Sequence, residues 1–551
     1  MSKEESNKKN AILILAGRLG SVSFNSYEYF LNIGNSLAID KILNSIEITN
    51  KFKSYIAVNK IDEKLTAFKP FRNFELINIG STIGVIETIS KSMNFISEEN
   101  IFIIPITTIP DQKKMIKNVC YFSDLSLPKE NWSSIQIGKN NNYKYFFKHD
   151  ESSFAKESYP FTGRISARRD HLIKAIENFP DYKKDDMLYL VQKLVEDFKY
   201  KILFEKWLDI GHKATYHNTR IESFTSRFFN NISYKKENNT IIKRSENKEK
   251  ISSEINFYNE LPLRLKKFFP YIFAENKILK EVNNIEIEYI PYPNLAELFL
   301  FSDIGPNGWL RIIKSISKVY KEFYSKGFQI AESNCSWLYS DKLTLRFSSI
   351  ENHINKSDNL ILKKILFEGI SINNQLKIKS LYSTFFSLKK FLVNYERSVK
   401  QFIGHGDLCF NNILIDHVSG TLKLIDPKAF YDNQLNIFGL MDPNYDLSKL
   451  NHSFKYLYDS VVNNLFSIEY SELNVNLKIF SPKNYDYINL QFENLLIANC
   501  IDKELLRILT ANLFISMLPL HIDDEEKLIT FSIIGSILFE NLNFNNLRTN
   551  I

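Results

Sequence analysis

Short apolar runs alternate with stretches of helical spacing over about the first 220 residues of the chain. The apolar runs lie at 11–15, 55–58, 75–79 and 101–104. Between these runs, apolar residues recur with the period of an amphipathic helix, as at 36–48 and 84–96. Because strands and helices that alternate along a chain usually build one open sheet covered by helices, the pattern predicts an α/β domain.

The pattern changes after about residue 220. In the section 224–289, short β-rich pieces with polar turns, such as 232–234 and 240–243, surround one helical stretch at 250–259. From Trp309 onward the spacing is mostly helical and is interrupted by one predicted hairpin at 412–426. This second part is therefore predicted to be of the α+β class, with most of its helices towards the end.

The length of 551 residues is more than a single hydrophobic core usually organises. Together with the change of pattern, this length predicts two domains, which we place at 1–222 and 223–551.

Charge and composition exclude several classes of protein. The formal net charge of +7 is small for this length, and because Lys and Arg are scattered, we expect no nucleic-acid partner. No apolar run approaches the roughly 18 residues of a membrane helix, and the first ten residues are polar and charged, so we expect no membrane segment and no signal peptide. The 4 cysteines lack the paired spacing of a metal site, which suits free thiols. We therefore expect a cytoplasmic protein.

The predicted hairpin carries candidate chemistry. An antiparallel return brings Asn412, which enters the first strand, beside Asp426, which leaves the second. Their oxygen atoms can converge on one cation, and Mg²⁺ prefers oxygen ligands while keeping coordination positions for phosphate. Asp407 lies five residues before Asn412. A carboxylate there can accept the proton of a substrate hydroxyl and direct that oxygen at a phosphorus atom.

These residues also match a known pattern. His405-Gly406-Asp407, followed by Asn412 and then by Asp426, resembles the motif of the aminoglycoside phosphotransferase and choline kinase superfamily, relatives of the protein kinases. A lone His-Gly-Asp is common in turns, and an Asp that closes a hairpin often only caps it. Several spaced elements that match in order favour the functional interpretation.

The resemblance implies a bilobal kinase-like domain with a small lobe at 223–290 and a helical large lobe at 291–551. It implies that Asp407 is the catalytic base, and that His405 supports the loop by hydrogen bonding. It also implies that Asn412 and Asp426 bind Mg²⁺. The later segment 444–450 resembles the family's Tyr-Asp-Leu-Ala segment, whose Asp, here Asp446, buttresses the catalytic loop.

The same fold needs an ATP site, for which the region before the hairpin supplies candidates. The run 239–244 reads as a strand that delivers Lys243, and in kinase-like folds such a lysine holds the α- and β-phosphates and is braced by a helix glutamate. Glu254 is the first choice for that brace and Glu260 the second. Glu288, Tyr289 and Ile290 fall where the chain would pass between the lobes and meet adenine, an assignment that rests on their order in the chain.

The N-terminal part resembles a second family. Leu15-Ala16-Gly17, Phe161-Thr162-Gly163 and Trp207-Leu208-Asp209-Ile210-Gly211 resemble, in order, motifs of the sugar-phosphate nucleotidyltransferases, which have a doubly wound α/β fold and a glycine-rich nucleotide loop. Asp209 matches one metal-associated Asp of that family. The other is absent from 104–108, although Asp111 is close. We therefore expect a degenerate domain that keeps the fold, has lost the reaction and can still bind a sugar or a sugar nucleotide.

These observations together predict an ATP- and Mg²⁺-dependent phosphotransferase that acts on a hydroxyl of a small molecule. The fused second fold suggests a sugar or alditol precursor of a surface (capsular) polysaccharide as its substrate, by analogy of fold. Two alternatives remain open. The chain could be a bifunctional enzyme with an active N-terminal nucleotidyltransferase, or a non-catalytic regulatory protein that binds nucleotide.

Overall fold

The structure is a computed structural model, which describes residues 9–16, 31–34, 36–45, 52–61, 68–110, 116–125, 132–138, 142–147, 158–177, 179–222, 230–273, 283–324, 335–428, 431–432, 437–438, 440–471 and 474–550. The chain divides into two compact units, Met1–Ser223 and Phe224–Ile551. Among the described residues, no helix has the length and apolar character that crossing a bilayer requires.

The first unit is built on a mixed sheet. Its strands are β1 (Asn10–Ala16), β2 (Asn32–Ile33), β3 (Ser36–Leu37), β4 (Phe52–Val58), β5 (Glu75–Asn78), β6 (Asn100–Pro105), β7 (Thr108–Pro110), β8 (Val119–Ser123), β9 (Ser134–Ile137), β10 (Tyr143–Phe146), β11 (Tyr159–Arg168), β12 (Lys201–Glu205) and β13 (Trp207–Asp209). Its helices are α1 (Ala38–Ser45), α2 (Val85–Ser92), α3 (Arg169–Ile176), α4 (Leu188–Phe198) and α5 (Lys213–Glu222).

The centre of this sheet is parallel. β1 pairs in parallel with β4 on one side and with β6 on the other, and β5 extends the sheet beyond β4. The strand order therefore reverses at β1, as in doubly wound sheets. β11 then adds to β6 in the antiparallel sense. The prediction of an α/β sheet is confirmed, and the four predicted apolar runs fall within β1, β4, β5 and β6, with Ile79 just beyond β5.

Burial explains why β1 has an uninterrupted apolar sequence. Ala11, Leu13 and Leu15 enter a buried cluster that includes Ile86 and Leu190, from α2 and α4. The alternate residues of β1 are also buried. Central parallel strands are covered on both faces, so both sets of side chains must be apolar.

The second unit begins with a three-stranded antiparallel sheet, which we call the small sheet: β14 (Asn230–Lys235), β15 (Thr240–Ser245) and β16 (Asn284–Glu288). Helix α6 (Lys248–Glu260) follows β15, and the short helix α7 (Leu263–Lys266) comes next. The two predicted β-rich pieces and the predicted helix at 250–259 lie within β14, β15 and α6.

The rest of this unit is mainly helical. Its helices are α8 (Leu295–Phe301), α9 (Pro306–Tyr324), α10 (Ser340–Lys356), α11 (Leu360–Phe367), α12 (Leu381–Tyr395), α13 (Pro443–Phe454), α14 (Tyr458–Val462), α15 (Tyr485–Ala498), α16 (Lys503–Ser516) and α17 (Glu525–Phe539). Its strands are β17 (Ile370–Ile372), β18 (Leu376–Ile378), β19 (Phe402–Ile403), β20 (Ile413–Ile415), β21 (Leu422–Leu424), β22 (Tyr431–Asp432), β23 (Ile437–Phe438), β24 (Leu440–Met441), β25 (Phe466–Tyr470), β26 (Asn474–Ser481) and β27 (Arg548–Asn550).

The predicted hairpin is present, as β20 paired with β21. The prediction that this is the one interruption of a helical region is wrong, because β17, β18, β25, β26 and β27 form a five-stranded sheet. Residues of β26 alternate between buried and more exposed positions along most of the strand, which is the period-2 signature of a half-buried strand.

Candidate active site

The loop that carries His405, Gly406 and Asp407 is held by one buried carboxylate. Asp446, in the first turn of α13, accepts hydrogen bonds from the N–H of His405 at 2.8 Å and from the N–H of Gly406 at 2.8 Å. The hydroxyl of Tyr324 also donates to it. Asp446 therefore fixes the main chain of the loop, which is the role expected for it from the sequence.

Glycine is required at the centre of this loop. Gly406 has φ +77°, in the left-handed region that side chains rarely adopt. A Cβ atom there would also lie only 3.2 Å from the carbonyl oxygen of Lys428. Any larger residue would displace the segment that leads to Asp407.

His405 is a neutral structural residue. Its Nδ1 accepts a hydrogen bond from the N–H of Asp407 at 3.2 Å, and its Nε2 lies 3.0 Å from the carbonyl oxygen of Ile425. Since Nδ1 acts as an acceptor and a carbonyl cannot donate, the proton resides on Nε2. Burial lowers the pKa of His405, which agrees with the neutral form. The ring thus links the loop to the end of the β20–β21 hairpin.

Asp407 is accessible and charged. Its side chain is 40% exposed, and Lys449 Nζ lies 3.1 Å from Oδ1. Burial acts to raise the pKa of Asp407, but the charge and hydrogen bond of Lys449 outweigh burial and hold this pKa well below its ordinary value. An ionised carboxylate that is open to solvent can accept a hydrogen bond from a substrate hydroxyl.

The hairpin brings the main chain of Asn412 opposite Ile425, the residue before Asp426. Ile413 pairs with Leu424, and the N–H of Ile425 donates to the carbonyl of Asn412 at 3.0 Å. The Nδ2 of Asn412 donates to the carbonyl of Asp407 at 2.8 Å, which leaves its Oδ1 as the side-chain atom suited to a cation. Asp426 adopts φ +54°, a strained value for a residue other than glycine, of the kind found at functional sites.

Lys243 joins two distant parts of the second unit. Its Nζ donates to Glu254 Oε2 on α6 at 2.7 Å and also contacts Asp426 Oδ1. The side chains of Lys243 and Glu254 are 5% and 4% exposed, whereas that of Asp426 is 49% exposed. Burial acts to lower the pKa of Lys243, but the two carboxylates outweigh it and the pKa is raised. Lys243 is therefore a fixed cation beside an accessible carboxylate, and Glu260, the second-choice brace, is exposed.

The predicted adenine contacts lie at the end of the small sheet. The Glu288 carboxylate accepts a hydrogen bond from the N–H of Tyr271 at 3.1 Å, and the N–H of Tyr289 donates to the carbonyl of Asn239 at 3.2 Å. These two groups are therefore engaged within the protein. Ile290 follows directly, and its side chain is buried. The role of these three residues stays a prediction.

Asn412 and Asp426 fit a magnesium ion by the chemistry of their donors. Mg²⁺ is commonly held by one or two side-chain oxygens together with substrate phosphates and water. Asp426 supplies an exposed carboxylate, and Asn412 supplies an amide oxygen oriented by its own Nδ2 hydrogen bond. No group of three or more His, Cys, Asp or Glu residues suited to a metal occurs in the part of the chain that is described. By the usual chemistry of Mg²⁺, an ion held by Asn412 and Asp426 would take the rest of its coordination from nucleotide phosphates and water.

Sequence reasoning missed the basic residues around Asp407. Lys449 lies three residues after Asp446, nearly one helical turn along α13, so its proximity to the loop could have been found from the helical period. Lys342 comes from α10, where its Nζ donates to the hydroxyl of Tyr445 at 2.7 Å. Nothing local in the sequence signals this contact, because helix packing creates it.

The matched residues of the first unit have structural roles. Asp209 Oδ1 accepts from the N–H of Gly211 at 3.0 Å, and its Oδ2 accepts from the hydroxyl of Thr215, so the carboxylate is committed to the turn before α5. Gly163 has φ +83° and lies against Pro105. The predicted nucleotide loop after Ala16 and the candidate Asp111 lie outside the described residues.

No protein-family model matches the chain, and no curated protein matches it. Solved structures of 262 chains do match. One, from Bacillus anthracis, is assigned as a glucose-1-phosphate thymidylyltransferase in complex with sucrose; it is 14% identical, with a TM-score of 0.33, over 40% of this chain and 97% of that one. HddC from Yersinia pseudotuberculosis is 14% identical, with a TM-score of 0.30, and the match covers 39% of this chain and 99% of HddC. A UDP-glucose pyrophosphorylase complexed with UDP-glucose is 12% identical, with a TM-score of 0.31, and the match covers 40% of this chain and 99% of the pyrophosphorylase.

These neighbours match the N-terminal part of the chain. At such identities and TM-scores, no activity follows from the likeness.

Proposed function

We propose that the second unit is an ATP- and Mg²⁺-dependent phosphotransferase that acts on a hydroxyl group of a small molecule. The observation that carries this proposal is the contact of Lys243 with both Glu254 and Asp426. A buried lysine braced by a helix glutamate and aimed at an exposed carboxylate is the arrangement that kinase-like sites use for nucleotide phosphates.

Lys243 would bind the phosphates of the donor. The ammonium cannot rotate away, because Glu254 holds it from the buried side at 2.7 Å. The ammonium also contacts Asp426, which is the residue that would share a metal ion with Asn412. Mg²⁺ bound there would neutralise charge on the transferring phosphoryl group and its leaving group.

Asp407 would orient the attacking hydroxyl and receive its proton. The low pKa of Asp407 keeps the carboxylate ionised at neutral pH, so it is always ready to accept that hydrogen bond. The same low pKa makes it a weak base, and the proton would pass to it late, as the new oxygen–phosphorus bond forms. The contacts of Asp446 and His405 keep the loop in place while this happens.

We also propose that the acceptor is a sugar or alditol derivative from the synthesis of a surface polysaccharide. The motifs 161–163 and 207–211 in the first unit support this proposal, because they resemble those of enzymes that handle sugar phosphates. The first unit would then bind a sugar or sugar nucleotide, with Asp209 stabilising the fold.

The test separates nucleotide binding from chemistry. Asp407→Asn should bind MgADP with the affinity of the unaltered chain but lose phosphate transfer from ATP by at least about a thousandfold. Lys243→Met should weaken MgADP binding, as measured by isothermal titration calorimetry. Lys266→Met, which removes a lysine of the short helix α7, is the matched control and should leave both unchanged. Transfer that survived in Asp407→Asn would exclude the proposed base.

A further inference from the structure

Three lysines from separate parts of the chain gather around Asp407. Lys449 of α13 lies 3.1 Å from the Asp407 carboxylate. Lys428, just beyond the β20–β21 hairpin, packs against Gly406, and its N–H donates to the carbonyl of His405 at 2.8 Å.

Tyr445 connects the third lysine to this group. Its ring is buried, and Lys342 of α10 donates to its hydroxyl at 2.7 Å. The ammonium groups of Lys342 and Lys449 lie 5.1 Å and 5.9 Å from the centre of the same ring. Lys342 therefore stands on the side of Asp407 that is formed by α10 and α13.

The positive charge of this cluster exceeds the negative charge around it. Within the described residues, Asp407 is the carboxylate whose charge acts on Lys342, Lys428 and Lys449 alike. Burial, followed by the charge of Lys449, lowers the pKa of Lys342 to about 7. Ammonium groups crowded in this way would be stabilised by an added anion.

We propose that the acceptor is an anionic hydroxyl compound, whose phosphate or carboxylate group is bound by Lys342 and Lys428 while its hydroxyl group meets Asp407. This inference rests on the proposed phosphotransferase function and specifies the substrate class of that site. A sugar phosphate and a sugar acid share the required chemistry.

The donor nucleotide is a poorer explanation of the cluster. Its phosphates would be bound through Lys243 and Asp426, which approach from the small sheet and the hairpin. Lys428 follows Asp426 by two residues and could touch either substrate. Lys342 lies across Tyr445 on α10, so it distinguishes between the two explanations.

The step itself is an ordinary phosphoryl transfer. The acceptor oxygen forms a bond to the γ-phosphorus, and the bond between that phosphorus and the β–γ bridging oxygen breaks, so that ADP leaves. The acceptor proton moves to Asp407 and then to solvent. No oxidant or further reactant is needed.

The experiment compares acceptors that differ in charge. ADP release is measured with the full chain, MgATP and one acceptor at a time. Glycerol is compared with glycerol 3-phosphate, and glucose is compared with glucose 6-phosphate and with glucuronate. At least one anionic compound should be used with a kcat/KM at least about tenfold above that of its neutral counterpart. The phosphate and carboxylate arms show which anion is preferred. Lys342→Gln should raise the KM for that anion about 10- to 100-fold, with kcat and the KM for ATP nearly unchanged. Lys356→Gln, at the exposed end of the same helix, is the control and should change neither constant.

Calorimetric binding of the three anions keeps this inference distinct from the proposed function. If an anion binds and Lys342→Gln weakens its binding about tenfold or more while no transfer is seen, the lysine cluster remains an anion site and the phosphotransferase proposal fails. Preference for neutral acceptors overturns the inference and leaves the phosphotransferase intact. Failure of all three anions to bind, or a rise in the KM for ATP in Lys342→Gln, also overturns it.

Discussion

Replacing Lys243 by methionine should destabilise the region around α6 as well as weaken nucleotide binding. The change removes the ammonium group that compensates the Glu254 carboxylate, whose side chain is 4% exposed. At the observed 2.7 Å, two unit charges attract by about 6 kcal/mol at the effective dielectric constant of about 20 that suits protein sites. The desolvation of both groups offsets part of this attraction. Breaking a buried pair by removing one partner costs about 3–5 kcal/mol, and we expect a value in that range.

Asp426 should contribute little to this cost, because its side chain is 49% exposed and water can replace the lysine. The double variant Lys243→Met/Glu254→Gln should recover most of the lost stability, since no uncompensated charge is then buried. It should not recover MgADP binding, because the phosphate ligand is still missing. This divergence separates the structural from the functional role of Lys243.

Hydrogen exchange measured by mass spectrometry suits a chain of two units, because it reports local opening rather than global unfolding. Amides of α6 near Glu254 should exchange about 150- to 4,000-fold faster in Lys243→Met, which is the loss of about 3–5 kcal/mol converted at about 1.4 kcal/mol per factor of ten, and close to the unaltered rate in the double variant. Peptides from β1 in the first unit serve as the internal control. A change of less than about tenfold in Lys243→Met, or a double variant as unstable as the single one, would refute the reasoning.

Three further predictions concern the loop and its lysines. Lys449→Met should raise the pKa of Asp407 by about 1–2 units, a value reduced for solvent screening, so that kcat/KM falls on the acidic side of its pH profile. Lys449→Arg should restore the original pH profile. If the acidic side of the profile did not move in Lys449→Met, the pairing of Lys449 with Asp407 would be contradicted. Gly406→Ala should lower kcat at least about 100-fold by displacing Asp407, whereas Gly420→Ala, with a similar positive φ in the hairpin turn, should alter activity little; equal losses would point to general strain. For an anionic acceptor, KM should rise about tenfold between about pH 6.5 and about pH 8.5, because Lys342 loses its proton as the pH passes about 7. The groups that face Lys342 are Lys449, Asp407, Arg346 and Tyr445. A flat pH profile of KM, or the same rise for a neutral acceptor, would argue against the role of Lys342.

The elements that the sequence predicted well are those with a strong local signal. The apolar runs of β1, β4 and β6 have no polar interruption, because both faces of these strands are covered. The five-stranded sheet was missed because its two hairpins, β17–β18 and β25–β26, lie among helices. They are joined into one sheet by the pairing of β26 with β17, and β27 is added by pairing with β26, in both cases between strands far apart in the chain. Local periodicity says nothing about such pairing.

The candidate site also contains residues that the sequence could place and residues that it could not. The hairpin followed from the local sequence alone, and its register brings Asn412 opposite Ile425, next to Asp426. The contact between Lys243 and Glu254 was expected from their order in a kinase-like chain and is present at 2.7 Å. Lys342 could not be placed from sequence, because its position beside Tyr445 depends on how α10 packs against α13.

In the proposed reaction, Asp407 orients the acceptor hydroxyl that receives the γ-phosphoryl group of ATP. The most direct measurement uses ATP labelled at the γ-phosphoryl group, incubated with Mg²⁺, the acceptor panel and either the unaltered chain or Asp407→Asn. We predict a labelled, acid-stable phosphate ester with the unaltered chain and none with Asp407→Asn, although both bind MgADP equally. Equal labelling by the two proteins, or no labelled ester from any acceptor, would contradict the account.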